Sequence, residues 1–174
     1  LLAVGGIFAQ REVSRRQELT RIEGLVGQLI SAEPAQLPEI VKQLEENSQT
    51  ASHLLAPLLE QSAETPDEKR TQLHARLASV GRDPSLIEPL VEELLTGKVA
   101  YIGPIRELLK PHASQLSDGF WQLLSDETAE ANRRFRAGLA LAEYSPPSES
   151  DTDTTSKSES DSPADLESKT WTQP

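Results

Sequence analysis

Between Glu18 and Tyr144 the apolar residues return every three or four positions, the period of one face of an α-helix. Ile22, Leu25, Val26, Leu29 and Ile30 form a first stripe, and Leu37, Ile40, Val41 and Leu44 form a second after a break at Pro34 and Pro38. Leu54, Leu55, Leu58 and Leu59 make a third; Leu73, Leu77 and Val80, with Ala75 and Ala78 beside them, make a fourth. Leu86, Ile87, Leu90, Val91, Leu94 and Leu95 supply a strong fifth, and Ile102, Ile105, Leu108 and Leu109 a sixth. Phe120, Trp121, Leu123 and Leu124 anchor a seventh, and Phe135, Leu139 and Ala142 an eighth. No stretch alternates with period two for long enough to make a strand. The pattern predicts an all-α fold of about eight helices.

The residues between the stripes fit that reading. Thr65-Pro66-Asp67-Glu68 has the form of an N-cap, a proline at the first helical position and an acid three residues after the cap. Asp83-Pro84 opens the fifth helix in the same way. Gly81 and Gly97 stand where a left-handed residue would close the fourth and fifth helices. Pro111 follows the sixth, where it stops further winding.

The helices also repeat. LVGQLISAEPAQLPEIVKQLE, from Leu25, resembles LVEELLTGKVAYIGPIRELLK, from Leu90, at an offset of 65 residues. Leu25, Val26, Leu29, Ala35, Ile40 and Leu44 return as Leu90, Val91, Leu94, Ala100, Ile105 and Leu109. Further on, LHARLASV, from Leu73, resembles FRAGLALA, from Phe135, at an offset of 62. A unit of about four helices therefore occurs twice, or equivalently about four helical hairpins of roughly 32 residues, the spacing of HEAT-like α-solenoids. Leucine periodicity common to any amphipathic bundle is the alternative; the matching small and β-branched positions favour true repetition.

After Tyr144 the composition changes. SPPSESDTDTTSKSESDSPADLESK holds acids, Ser and Thr but one large aliphatic residue, Leu166. Too little apolar surface is available there to offset backbone ordering at about 1–2 kcal/mol per residue, so residues 145–170 are expected to be a disordered acidic linker. It is read as a solvated spacer, or else as a phosphorylatable arm, and Trp171 is expected to mark the start of a further ordered segment at 171–174. The formal charge of the whole chain is −11, which argues against a nucleic-acid partner. The absence of cysteine removes disulfides, thiolate chemistry and Cys-ligated zinc.

A search for chemistry returns little. His53, His74 and His112 have no second His or Cys at ligand spacing; His53 and His74 are expected on helix flanks and His112 in a loop. The carboxylate pairs Glu45-Glu46, Glu92-Glu93 and Asp126-Glu127 are adjacent, and adjacent side chains on a helix diverge by about 100°, so spacing alone makes no acid/base dyad. Phosphate-cradling loops, nucleophile elbows and kinase signatures are absent from the sequence. Arg133, Arg134 and Arg136 form a basic spot that is expected to pair with neighbouring Glu side chains. No catalytic, cofactor-binding or metal-binding residue is assigned, and no small-molecule substrate or cofactor is expected. The chain is not read as an enzyme.

The segments LISAEPAQLPEIVKQLE, KRTQLHARLASVGRDPSLIEPLVEELL, IRELLKPHASQLSDGFWQLL and RRFRAGLALAEYSP, from the stretch Leu25–Tyr144 and the two residues after it, carry a resemblance. The stretch is similar to a helical connector of large planctomycete-type proteins. In these, a serine/threonine kinase domain, or a formylglycine-generating sulfatase-modifying domain, shares a chain with helical repeats. The resemblance implies a connector that follows a transmembrane helix and precedes further repeats, and it carries over no catalytic residue. The acidic Ser/Thr insert departs from the family pattern, in which the YSP-like turn leads more directly to a Trp like Trp171.

The sequence opens LLAVGGIFAQREVSRR, and it contains no methionine, so it is read as a piece of a longer chain. Leu1–Ala9 is under half the roughly 20 apolar residues of a membrane span. Residues 1–10 are expected to be the end of a truncated transmembrane helix; the remainder of a signal-peptide core and an ordinary buried helix start are the alternatives. Residues 11–24 then form a basic juxtamembrane helix, and 25–144 the repeat domain. Arg11, Arg15, Arg16 and Arg21 by themselves favour the cytoplasmic side, whereas the resemblance implies an extracytoplasmic repeat domain on a single-pass anchor. The expected function is a non-catalytic scaffold or spacer of a membrane-anchored serine/threonine kinase that engages protein partners. The alternatives are a segment of a sulfatase-modifying-type protein and a stand-alone soluble adaptor.

Overall fold

The computed structural model describes the backbone of residues 3–144 and the side chains of residues 16–144. The expected acidic linker at 145–170 and ordered segment at 171–174 lie outside the described residues, as do the side chains of the apolar start. Among the described residues the fold is all-α, with eight α-helices: α1 (Ala3–Ser31), α2 (Leu37–Glu45), α3 (Ser48–Glu60), α4 (Pro66–Ser79), α5 (Ile87–Thr96), α6 (Ile102–Leu109), α7 (Ala113–Ser125) and α8 (Ala131–Tyr144). Single 3-10 turns, Pro34–Gln36, Pro84–Leu86, Val99–Tyr101 and Lys110–His112, lead directly into α2, α5, α6 and α7.

The bounds repeat in step. The 3-10 turn before α2 and the one before α6 start 65 residues apart, as do α2 and α6, α3 and α7, and α4 and α8. Each unit buries the apolar face that its sequence spacing sets up. Leu29 and Leu94 are fully buried at matching places, as are Leu44 and Leu109, and Leu55 of α3 is matched by Phe120 of α7. Each fully buried Leu contributes about 1.5–3 kcal/mol against leaving it in water, so the shared positions hold both units together. Within the units α1 packs on α2, α3 on α4, α5 on α6 and α7 on α8. Across them α2 meets α6, the turn Pro34–Gln36 meets Val99–Tyr101, and α4 meets α5. The second helices and the turns before them thus meet their own counterparts, while α4 meets the first helix of the next unit, in solenoid-like packing.

Helix ends explain where the elements stop. Thr65 Oγ1 accepts from the Glu68 N–H at 3.3 Å, while Glu68 Oε2 accepts from the backbone N–H groups of Thr65 and Glu64, each at 2.9 Å. This closes the capping box the sequence announced, and those backbone donors lower the Glu68 pKa. Asp83 accepts from the Ser85 N–H and starts the turn that feeds α5. The two glycines differ from expectation. Gly97 has φ −72° and ψ −168°, extended rather than left-handed, and Gly81 is not left-handed either. Gly97 is required for space instead: a Cβ there would stand on the Glu93 carbonyl oxygen and side chain.

α1 runs unbroken through the boundary expected near residue 10 and into the first repeat, over 29 residues. At roughly 1.5 Å per residue it has the length to span a bilayer, but Arg11, Glu12, Arg15, Arg16, Glu18, Arg21 and Glu23 interrupt it. Among the described residues no helix is long and apolar enough to cross a membrane.

Candidate functional site

The junction between the two units is built on buried polar groups, and it begins with His74. Sequence spacing put this residue on a helix flank; it is fully buried. α4 carries it beneath the end of α1, where Leu29 is among the last residues and its carbonyl accepts, from the backbone, only a short-range bond from the Ala32 N–H at 3.3 Å. His74 Nδ1–H donates to the Leu29 carbonyl at 2.7 Å, which fixes the tautomer, and Nε2 accepts from the Tyr101 hydroxyl at 2.9 Å. The rings lie 5.7 Å apart. His74 belongs to the first unit and Tyr101 to the second, so one imidazole ties a helix end to the neighbouring unit. Burial lowers the His74 pKa below its ordinary value, an effect opposed by the Leu29 bond and reinforced by Arg70, and burial raises that of Tyr101.

The second unit solves the same problem with another residue. Arg136 of α8 is buried and donates from Nη1 to the carbonyls of Leu94 at 3.2 Å and Gly97 at 2.7 Å. Leu94 is the repeat of Leu29. A cation is favoured there because the helix C-terminus carries partial negative charge. A second matched pair lies alongside. Gln72 Nε2 donates to the Leu59 carbonyl of α3, and Arg134 Nε donates to the Leu124 carbonyl of α7. In both pairs the sequence separation is three residues shorter in the second unit: 45 against 42, and 13 against 10. The fourth helix has therefore slid by about one turn between units, which is why the sequence repeats at 65 early and at 62 late.

The basic spot on α8 is accordingly not one feature. Arg133 forms the expected carboxylate pair, reaching Glu92 Oε1 at 2.7 Å and Oε2 at 2.9 Å. Arg134 and Arg136 serve helix ends instead, because α8 turns them towards exposed carbonyls of α7 and α5. Of the remaining sequence candidates, Glu45, Glu46 and Glu127 are exposed. Asp126 accepts from the Thr128 side chain and backbone, which lowers its pKa. His53 lines an open groove with Arg16 and Thr50 between α1 and α3, and His112 sits half-buried in the turn before α7. Among the described residues no three His, Asp or Glu side chains come close enough to hold a metal ion.

Beside the His74–Tyr101 bond, α4 and the second unit enclose a cleft of about 480 Å³. Leu73 and Tyr101 lie among its apolar lining; Lys69, Arg70 and Arg76 come from α4, Lys98 comes from the loop after α5, and Glu93 is its one acid. The sequence reading passed over these cations. Lys69 and Arg76 do stand seven residues apart, two helical turns and hence one face, but Lys98 is brought to them only by the stacking of the units.

Two large apolar residues placed on the sequence stripes are not in the core. Trp121 is 53% exposed and Phe135 is 63% exposed. Phe135 is the repeat of Leu73, which is only 8% exposed. Leu73 lies at the inter-unit cleft with Glu93, Lys98 and Tyr101 of the second unit, and among the described residues no further unit stands beside Phe135.

No protein-family model matches the chain, nor does any curated protein or any solved structure.

Proposed function

We propose that this chain is a non-catalytic helical-repeat scaffold that engages a protein partner through the end of its second unit. The observation carrying this reading is the Leu73–Phe135 pair. Equivalent side chains in successive units should have equivalent surroundings, and the second of them stands uncovered in water with Trp121 also exposed. Large exposed apolar side chains set in a polar surface mark surfaces that receive another protein. The buried His74 and Arg136 are consistent with this, since each is committed to backbone carbonyls at a helix end.

The resemblance to kinase-linked connectors adds a setting, in which the repeats are held by a membrane anchor beyond the apolar start and outside the cytoplasm. A sulfatase-modifying parent protein is the second setting it supports. Neither setting alters the partner face.

The test is a photo-crosslinking amino acid at position 135 of the full chain in its native cell, with position 127 on the loop before α8 as control. A discrete protein adduct from 135, absent from 127, is expected. Equal yields at the two positions, or no adduct from 135, would refute the partner face.

A further inference from the structure

The inter-unit cleft carries a charge pattern that the fold does not need. In the register set by the matched hydrogen bonds, Lys69, Arg70 and Arg76 correspond to Ala131, Asn132 and Gly138 in the second unit. Lys98 corresponds to Glu33 in the first. Stacking helices therefore does not require cations at these places, yet four of them line one cleft in a chain of net charge −11. They are poorly neutralised. Arg70 reaches Asp67 only at 3.8 Å, Arg76 is bonded to the neutral Gln72 side chain, and Lys69 and Lys98 form no ion pair among the described residues. Beside the cations the cleft is lined by the accessible apolar surfaces of Ala63 and Pro66, over the buried Leu73 and Tyr101. Such a site selects an anionic segment with an apolar side chain between its charges.

We propose that the occupant is the chain's own acidic tail, seated through Asp165-Leu166-Glu167. Residues 145–174 hold seven acids against two lysines, and Leu166, the one large aliphatic residue there, is flanked on both sides by a carboxylate. Leu166 rests against Ala63 and Pro66 at the apolar side of the cleft while Asp165 and Glu167 meet the cations. Glu93 sets the polarity, since it repels an acid from its own side of the cleft. The tether is long enough: the 21 residues from Tyr144 to Asp165 extend to about 70 Å, whereas a domain of this size is about 40 Å across. Being tethered, the segment meets the cleft at an effective concentration of about a millimolar, so a weak site suffices to hold it. The cleft is then self-occupied, and an acidic partner has to displace the tail to enter.

The inference goes beyond the scaffold reading and stands apart from it, because the Phe135 face is elsewhere and is tested by its own adduct. The chain has no cysteine, so S160C provides a single attachment point for a nitroxide on the full chain. At low salt, amide signals of residues 69–76 and 98–101 are expected to weaken about twofold or more when the label is paramagnetic, and to recover at about 1 M salt, where the screening length is near 3 Å. The broadening is expected to disappear in D165N/E167Q, which leaves the helical domain untouched, and in R70E/K98E. The idea is overturned if the cleft amides show no broadening, or if broadening survives both charge variants. It is equally overturned if broadening appears only when isotope-labelled chain is mixed with a separate spin-labelled chain, since the occupant is then another copy.

Discussion

Leu29 and Leu94 each leave a carbonyl at the end of a helix, and the chain meets the two with different side chains, His74 and Arg136. Leaving a buried carbonyl unpaired costs about 1–3 kcal/mol; Arg136 supplies that partner at Leu94, whereas at Leu29 His74 adds a second bond to the one from the Ala32 N–H. The choice of residue has a consequence for pH. Burial depresses the His74 pKa from 6.5, so in the window between the depressed value and 6.5 the unfolded chain binds a proton that the folded chain does not. Stability from this residue is therefore complete above about pH 6.5 and is lost as pH falls through that window. The expected outcome is a urea midpoint that declines as pH falls below about 6.5 in the natural chain and declines less in His74→Gln. Carboxylates such as Glu92 and Asp126, whose pKa values are lowered, withdraw their contribution only at lower pH and do not mimic this. Arg133 shows the contrast among neighbours, since its bidentate contact with the largely exposed Glu92 is a surface pair and is expected to be worth at most about 1 kcal/mol.

At the level of elements, most of the architecture was visible in the spacing of apolar residues. All eight stripes are helices, and the capping box at Thr65–Glu68 opens α4 where its pattern says. The change of repeat offset from 65 to 62 turns out to be physical: α8 has slid relative to α4 so that Arg134 and Arg136 reach the carbonyls of Leu124 and Leu94, the repeats of the Leu59 and Leu29 carbonyls reached by Gln72 and His74. The glycines were misread, because glycine at a helix end suggests a left-handed residue whether the need is conformational or steric. At Gly97 the need is steric, since its own N–H bonds the Glu93 carbonyl at 2.7 Å and leaves no room for a Cβ. Gly97→Ala is expected to lower unfolding free energy by about 1–3 kcal/mol, read from urea denaturation, through displacement of this turn. No change would mean that the Glu93 carbonyl yields freely.

For the molecule as a whole, the two units are alike in plan and unlike in surroundings. Leu73 and Phe135 are one position in the repeat, and only neighbours decide that the first is core and the second is surface. Leu73→Ala is expected to cost roughly 2–4 kcal/mol in urea unfolding, as for other buried leucines, while Phe135→Ala changes stability by less than about 1 kcal/mol. Equal losses at both positions would mean that Phe135 is already packed in the free chain. The cations of the inter-unit cleft belong to this scale as well. Lys69, Arg70 and Arg76 share a helix, but their meeting with Lys98 and Tyr101 depends on how one unit stacks on the next.

The sequence by itself determined the all-α class, the number and order of helices, and the two-fold repetition, because helical periodicity and capping are local properties read within a few turns. It also indicated the slip of the last helix, through the shorter offset of its matching segment. Tertiary structure alone decided that His74 and Arg136 are buried caps, that Trp121 and Phe135 are exposed, and that four cations line one cleft. Those outcomes depend on which helix end or which unit lies opposite a side chain. That is a long-range fact, and a residue's type and spacing do not carry it.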